Sequence, residues 1–231
     1  MPELNLIQKI AIWVIPVLFA ITLHEVAHGW VANRLGDPTA RMLGRLTLNP
    51  LKHIDPVGTI LVPAILLLLP GKFLFGWAKP VPISPRNFKQ PRRDMAIVGA
   101  AGPLSNLLMG LLWCLVVRIG LYLPQSAVHM AEPLMLVGVA GIFVNVLLMV
   151  FNLIPLPPLD GGRVASGLMP REWALHYDRI EPYGFFILIA LMITPVFGYI
   201  IWAPVAIFLN ILGAAAGLHG GELFAYLQML M

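Results

Sequence analysis

Long apolar runs that carry almost no charge alternate with short polar connectors along the chain. Four of these runs are long enough to predict helices that cross a membrane: 4–31, 95–131, 133–159 and 183–221. Because a span needs about 20 helical residues, each of the first three predicts one transmembrane helix. The last run is longer and is interrupted by Pro195, Gly198 and Pro204, so it predicts either two short spans or one span and an interfacial helix.

The composition agrees with this pattern and excludes a soluble domain. Hydrophobic residues make up 59% and charged residues 11% of the 231 residues, against about 45–50% and about 25% in soluble globular domains. So little charge cannot cover a water-facing surface, and the high hydrophobicity also excludes a disordered chain. We therefore predict an all-α polytopic membrane protein with about five or six transmembrane helices, forming a single membrane-embedded domain over residues 1–231.

The basic residues predict how the helices are oriented. Three connectors hold 12 of the 15 lysines and arginines: Arg34, Arg41, Arg45 and Lys52; Lys79, Arg86, Lys89, Arg92 and Arg93; and Arg163, Arg171 and Arg179. The connector 125–132 contains none. Because cytoplasmic loops are enriched in Lys and Arg, the three basic connectors are predicted to be cytoplasmic, and the net charge of +4 does not indicate a nucleic-acid partner.

Each apolar run can now be interpreted as a spanning or a non-spanning segment. The helix over 1–34 lacks a basic start and a clear cleavage site, so we predict that it is retained rather than removed as a signal peptide. The runs 95–123 and 133–157 predict a helical hairpin that leaves the cytoplasmic side and returns to it. The shorter run 56–71 lies between two basic connectors, so within 56–82 we predict a re-entrant element followed by an extended hairpin. A short tilted span is the alternative.

Ionisable residues occur inside the first predicted helix, in the sequence His24-Glu25-Val26-Ala27-His28. Residues four apart lie on one face of a helix, so both imidazoles can bind one metal ion. Glu25 is placed beside the first histidine, where it can act as a general base for water. The alternative is a pair of buried polar residues that hydrogen bond between helices, although ionisable groups in a membrane are usually functional.

Two histidines leave a catalytic zinc ion one ligand short of the usual three. The best candidate for the third is Asp160, because its run returns to the same side of the membrane. It lies in the proline-rich sequence Asn152-Leu153-Ile154-Pro155-Leu156-Pro157-Pro158-Leu159-Asp160-Gly161-Gly162. Prolines there end the helix and expose polar groups toward the metal. The chain has one cysteine, which excludes a thiolate metal cluster.

Together these motifs resemble the site-2 protease family of intramembrane zinc metalloproteases. The resemblance covers the chain from the first helix to about residue 165 and is carried by three sequences: His24-Glu25-x-x-His28, Asn152-x-x-Pro155-x-Pro157-x-Leu159-Asp160-Gly161, and Val98-Gly99-Ala100-Ala101-Gly102-Pro103-Leu104-Ser105-Asn106. It implies one zinc ion held by His24, His28 and Asp160, with Glu25 as the general base. It also implies that Asn152 positions the substrate or donates to the oxyanion.

The resemblance further implies hydrolysis of peptide bonds within or near transmembrane helices of membrane-protein substrates, the reaction of regulated intramembrane proteolysis. A substrate helix has to unwind first, since its carbonyls are held in backbone hydrogen bonds. The stretch 75–82 is a candidate for pairing with the unwound strand, and an interfacial anchor that uses Trp77 is the alternative. For Asn106 we consider a hydrogen bond to the substrate or within the active site, and a structural bond between helices.

The chain resembles the minimal, bacterial-type members of the family, because it has no room for a PDZ domain between the motifs and no nucleotide-sensing module after them. We therefore expect a multi-pass protein of the bacterial plasma membrane with its active site toward the cytoplasm. Its expected partners are a transmembrane substrate and the lipid bilayer, not nucleic acid.

Two other functions have to be considered, a membrane metal-ion transporter and a catalytically inactive, chaperone-like relative. A transporter has no need of Glu25 between two histidine ligands, and the two related halves typical of many transporters are not visible in the sequence. The inactive relative is disfavoured because every catalytic position expected from the family is filled.

Overall fold

The protein, described by a computed structural model over residues 4–62, 65 and 76–231, is helical, with no β-strand among these residues. The bounds of its α-helices, in chain order, are α1 Leu6–Leu35, α2 Thr39–Met42, α3 Pro91–Tyr122, α4 Val128–Asn152, α5 Asp160–Leu168, α6 Arg171–Asp178, α7 Glu181–Ile193, α8 Pro195–Ala216 and α9 Glu222–Leu230.

Four of the described helices, α1, α3, α4 and α8, are long and apolar enough to cross a membrane. The helix α7 is also apolar but has only 13 residues. The predicted all-α polytopic fold is therefore confirmed. In the last apolar run, α8 has spanning length and follows the shorter α7, so the alternative of two short spans is wrong, and an interfacial position of α7 stays a prediction.

Local sequence explains where the helix that carries the histidines begins and ends. At the start of α1, the Asn5 side chain accepts from the Gln8 N–H and the Gln8 side chain accepts from the Asn5 N–H, each at 2.9 Å. At its end, Gly36 adopts a left-handed conformation with φ 111°, which a side chain would disfavour. Near that end the Arg34 guanidinium lies 5.0 Å from the centre of the Trp30 ring.

The helix α4 occupies the centre of the bundle. In the most apolar 18-residue stretch of α4, 72% of the residues are buried, against 22–28% in the corresponding stretches of α1, α3 and α8. Helices α1, α3, α8 and α9 pack around it. Gly138 allows α3 to approach closely, because a Cβ there would lie 2.6 Å from the Val117 Cγ2 atom. Small residues at such crossings bring helices together in membranes.

A buried aspartate anchors the connection between α1 and α3. Asp37 accepts hydrogen bonds from the Ser84 N–H at 2.7 Å, the Asn87 amide at 2.7 Å, and both the N–H and the hydroxyl of Thr39. Burial by itself raises the pKa of Asp37, but these hydrogen bonds outweigh it and hold the pKa below its ordinary value of 3.8. The carboxylate is therefore ionised at neutral pH and fixes residues 84–87 against the end of α1.

Residues 76–84, which we call the extended segment, run against the connector that follows α2. Hydrogen bonds tie the two together: the Trp77 N–H donates to the Gly58 carbonyl at 3.1 Å and the Lys79 N–H to the His53 carbonyl at 2.9 Å. The Arg45 side chain donates to the Lys79 carbonyl at 2.9 Å. The described part of the predicted hairpin forms neither helix nor strand, and the hairpin stays a prediction. The predicted re-entrant element or short span lies largely outside the described residues, apart from a π-helical turn at Pro56–Leu61.

Candidate active site

The side chains of His24, His28 and Asp160 converge where α1 meets the start of α5. The His24 Nε2, His28 Nε2 and Asp160 Oδ2 atoms lie 3.1 Å from one another. All three residues are buried, with at most 8% of their surface exposed. The two histidines are one turn apart on α1, so the structure brings together the three residues that the sequence proposed as ligands.

The turn after α4 brings Asp160 to this position. α4 ends at Asn152, and the prolines of the motif form a loop that leads directly into α5. Gly162 lies against that loop so closely that a Cβ there would be 2.5 Å from the Pro157 nitrogen. The glycines after Asp160 therefore let α5 fold back over the loop and point its first residue toward α1.

Hydrogen bonds at the far side of each imidazole fix its orientation. The His28 Nδ1 atom lies 2.7 Å from the Val98 carbonyl oxygen, and the His24 Nδ1 atom lies 2.7 Å from the Asn106 Oδ1 atom. Both partners only accept hydrogen bonds, so in the neutral rings each Nδ1 carries the proton and each Nε2 carries a lone pair. Two lone pairs and a carboxylate oxygen thus face one another, an arrangement that a cation stabilises.

This donor set fits a zinc ion. The Asp160 Oδ2 atom is buried and accepts no hydrogen bond from a described residue. Ligand atoms at about 2.0–2.1 Å from a tetrahedral zinc lie about 3.3 Å apart, close to the 3.1 Å separations in this cluster. Two imidazoles and one carboxylate are also the ligands of catalytic zinc sites that keep a fourth position open.

The helix α3 packs directly on the imidazoles because residue 102 is glycine. A Cβ at Gly102 would lie 2.5 Å from the His24 Cε1 atom and 2.5 Å from the His28 Nε2 atom. One turn earlier, a Cβ at Gly99 would lie 3.1 Å from the Asp160 carbonyl oxygen. The third sequence motif therefore supplies the close approach of α3 to both ligand-bearing helices, in keeping with the small residues of that motif.

Asn106 is fully buried behind His24. Its amide oxygen accepts from the His24 Nδ1–H, and its amide nitrogen donates to the Ala20 carbonyl at 3.3 Å and to the Asn145 Oδ1 atom at 3.0 Å. Both N–H groups of the amide donate within the protein, and its oxygen accepts from His24. These bonds reach the active site and also join α3 to α1 and α4, while a contact of Asn106 with the substrate stays a prediction. Asn145 was missed, although a single amide in an apolar helix is a recognisable signal.

Glu25, the predicted general base, lies half-buried beside His24. Its Oε2 atom accepts a hydrogen bond from the Val81 N–H of the extended segment at 2.7 Å. Its Oε1 atom accepts none from the described part of the chain. Sequence reasoning missed Val81, because the group that it contributes is a backbone N–H.

Asn152 lies at the partly exposed end of α4. Its amide nitrogen donates to the Leu148 carbonyl one turn earlier at 2.9 Å. No hydrogen bond joins it to Glu25 or to the three converging side chains among the described residues. Its contact with a scissile carbonyl therefore stays a prediction.

Comparisons with known proteins agree with this geometry. The model of a family described as Peptidase family M50 matches residues 118–195, a range that includes Asn152 and Asp160. The protein named "Putative zinc metalloprotease YwhC" of Bacillus subtilis (strain 168) is 40% identical over 190 residues, which cover 82% of this chain and 83% of that relative.

Two mycobacterial relatives carry the name "Putative zinc metalloprotease Rip2". The one from Mycolicibacterium smegmatis is 33% identical over 180 residues, covering 77% of this chain and 65% of the relative. The one from Mycobacterium tuberculosis (strain H37Rv) is 29% identical over 191 residues, covering 80% and 70%. No solved structure matches the chain. The resemblance found in the sequence is confirmed, with zinc as the metal: the chain belongs to peptidase family M50, the site-2 protease family of membrane zinc metalloproteases.

Proposed function

We propose that the protein is an intramembrane endopeptidase that hydrolyses peptide bonds within or near the transmembrane helices of membrane-protein substrates. The observation that carries this proposal is the position of the metal-binding cluster inside α1, a helix of spanning length and hydropathy. Counted back from Leu35 at 1.5 Å per residue, His28 lies about 10 Å and His24 about 16 Å from the end of the helix. A peptide bond that reaches them has to lie at membrane depth.

The active site is proposed to face the cytoplasm across the bacterial plasma membrane. The end of α1, the start of α3 and the helix α5 lie on the same side of the bundle. Arg92, at the start of α3, donates to the Ser166 carbonyl at 2.9 Å and to the Met169 carbonyl at 2.7 Å. Basic residues are concentrated on this side, which supports a cytoplasmic location.

The residues of the cluster divide the chemistry between them. Zinc held by His24, His28 and Asp160 supplies Lewis acidity for attack on a peptide carbonyl. Glu25 is the proposed general base: the Val81 N–H holds its Oε2 atom, so its Oε1 atom is available to take a proton from water and deliver it to the leaving amine. Asn152 is proposed to donate to the carbonyl oxygen from the end of α4.

The extended segment is the proposed place where an unwound substrate strand pairs. Its Trp77, Lys79 and Val81 N–H groups are bonded within the protein. Alternate residues of an extended chain point to the opposite edge, and between 77 and 83 these are Ala78, Pro80 and Pro82. The two prolines offer carbonyl oxygens and no N–H, and the Pro80 carbonyl also accepts from Arg45 at 3.4 Å. An unwound helix brings free N–H groups that such carbonyls can accept.

The test of this function is cleavage of a single-span substrate by the purified protein in lipid vesicles. We expect Glu25→Gln to keep its zinc, measured by metal analysis, and to lose at least about 100-fold in cleavage rate. Glu132→Gln makes the same chemical change at the opposite end of the bundle and should cleave like the wild type. Unchanged cleavage by Glu25→Gln would exclude the proposed mechanism.

Two matched substrates test whether the protein cleaves within the membrane. One substrate carries the cleavage sequence inside its transmembrane helix, and a matched substrate carries it in a soluble tail. We expect the first to be cleaved, and cleaved faster when a pair of glycines loosens its helix. Cleavage of the soluble tail alone would show a metalloprotease that does not act within the membrane.

A further inference from the structure

Asn145 lies in the middle of α4, and the three residues on each side of it are all apolar. Its side chain is fully buried. A buried amide in apolar surroundings costs free energy unless hydrogen bonds satisfy it. The partners of Asn145 therefore indicate why the bundle contains it.

Those partners lead to the metal-binding cluster. The Asn145 Nδ2 atom donates to the Gly141 carbonyl at 2.9 Å, and the Asn145 Oδ1 atom accepts from the Asn106 Nδ2 atom at 3.0 Å. The Asn106 Oδ1 atom in turn accepts from the His24 Nδ1–H at 2.7 Å. We call this chain of hydrogen bonds, which runs from α4 through α3 to α1, the amide relay.

Backbone carbonyls fix the direction of the relay. The Gly141 carbonyl only accepts, so the nitrogen of Asn145 must face it and the oxygen must face Asn106. The Ala20 carbonyl also requires the nitrogen of Asn106 on its side. Reversing the Asn106 amide would place its oxygen against two other oxygen acceptors, which is costly in a buried site.

This direction determines which nitrogen of His24 carries the proton. With the Asn106 oxygen facing its Nδ1 atom, the neutral ring keeps its proton there and directs the Nε2 lone pair at the cluster. Of the two groups that hold the Asn106 nitrogen, Asn145 makes the shorter hydrogen bond, at 3.0 Å against 3.3 Å for Ala20. Asn145 is therefore the side chain that, together with the Ala20 carbonyl, holds this arrangement.

We propose that Asn145 is a positioning residue for zinc, holding Asn106 in the one orientation that keeps the His24 Nε2 lone pair available to the metal. This inference rests on the proposed ligand set of His24, His28 and Asp160. Residues that orient a ligand histidine are typically worth about 10–100-fold in metal affinity. Asn145 would act in the same way through one intervening side chain.

The first test uses the wild-type protein without metal, labelled with ¹⁵N-histidine. At a pH where the imidazoles are neutral, the ring ¹⁵N shifts report which nitrogen carries the proton. We expect His24, assigned from the signal that disappears in His24→Gln, to be protonated at Nδ1 only. Protonation at Nε2 would overturn the proposal whether or not any Asn145 variant folds.

The second test measures zinc affinity by competition with a chelator. Asn145→Leu keeps the size of the side chain and removes the relay, and we expect it to weaken zinc binding by about 10–100-fold. In its protonated form Asn145→Asp keeps an acceptor oxygen toward Asn106 and an O–H that can donate to the Gly141 carbonyl, so it should recover most of that loss. Val139→Ala, at another fully buried position of α4, should lower thermal stability and leave zinc affinity unchanged.

The outcomes separate this inference from the proposed ligand set. Asp160→Asn tests the ligand set: if it binds zinc as tightly as the wild type, that assignment is wrong. If Asp160→Asn loses zinc while Asn145→Leu binds it like Val139→Ala, the ligands stand and the relay alone is overturned.

Discussion

At the scale of single residues, the metal-binding cluster depends on glycines, which have no side chain, as well as on the three residues proposed to bind zinc. Gly102 is the clearest case, because α3 can only lie against both imidazoles if residue 102 has no Cβ. The same close approach lets the Val98 carbonyl reach His28 and the Asn106 amide reach His24. One glycine thus sets the distance over which α3 orients both histidines.

Gly102→Ala is expected to displace the imidazoles and weaken zinc binding by at least about 10-fold. The reason is that its Cβ would lie 2.5 Å from atoms of both His24 and His28. Gly110→Ala, two turns further along α3, is the matched control, since its Cβ would meet only the flexible Leu212 side chain of α8, at 3.0 Å. Chelator competition measures both variants, and wild-type affinity in Gly102→Ala would contradict the expected clash.

Sequence alone could predict the residues whose chemistry is out of place in a membrane. His24, His28 and Asp160 were identified because ionisable groups are rare in apolar helices, and the structure brings them together. Val81 and Asn145 could not be placed in the same way. Val81 contributes a backbone N–H, which any residue but proline has, and the partner of a buried amide depends on how helices pack.

At the scale of elements, the extended segment links the connector after α2 to the carboxylate of Glu25, the proposed general base. Its Val81 N–H donates to Glu25, while its neighbours are tied to residues 53–59 and to Arg45. The position of Glu25 is therefore coupled to a segment outside the spanning helices.

Val81→Pro removes the N–H from a position that lies between Pro80 and Pro82, and with it part of the packing of the buried valine side chain. We expect it to lower the turnover rate by about 10-fold, as is common for groups that orient a catalytic side chain, with zinc content unchanged. Val81→Ala loses similar packing and keeps the N–H, so it should retain most of the activity. Equal turnover rates in the two variants would show that this hydrogen bond does not orient Glu25.

The observed ends of α3 and α4 differ from the ends that hydropathy predicted. The sequence predicted a helix over 95–123, whereas α3 begins at Pro91. Its first turn contains charged residues, which a search for apolar runs leaves outside the predicted helix. It also predicted a helix over 133–157. The observed helix α4 begins five residues earlier, at Val128, and ends five residues earlier, at Asn152, before the prolines. Apolar prolines raise hydropathy but cannot extend a helix, so an apolar run and a helix end at different residues.

At the scale of the whole molecule, the bundle is organised around α4, and the sequence could not identify this central helix. Side chains that face lipid are as apolar as those that face a neighbouring helix, so all the spans look alike. The orientation in the membrane, by contrast, follows from the basic connectors and can be tested directly.

Accessibility of introduced cysteines to a membrane-impermeant maleimide on intact cells tests the proposed orientation. His129→Cys, in the first turn of α4, should react from outside, whereas Arg86→Cys should react only after the membrane is permeabilised. Both positions are exposed. The native Cys114 is buried and donates to the Gly110 and Leu212 carbonyls, so the unmodified protein should stay unlabelled. The reverse pattern would place the active site on the outer side.

The prolines of the extended segment also bear on how copies of the protein behave when crowded in one membrane. An open strand edge normally invites association with the same edge of another molecule. Between 77 and 83, Pro80 and Pro82 leave Ala78 as the one residue with an N–H on that edge, so the same edges of two copies could form few hydrogen bonds with each other. We therefore expect the edge to stay available to a chain with free N–H groups at high protein density.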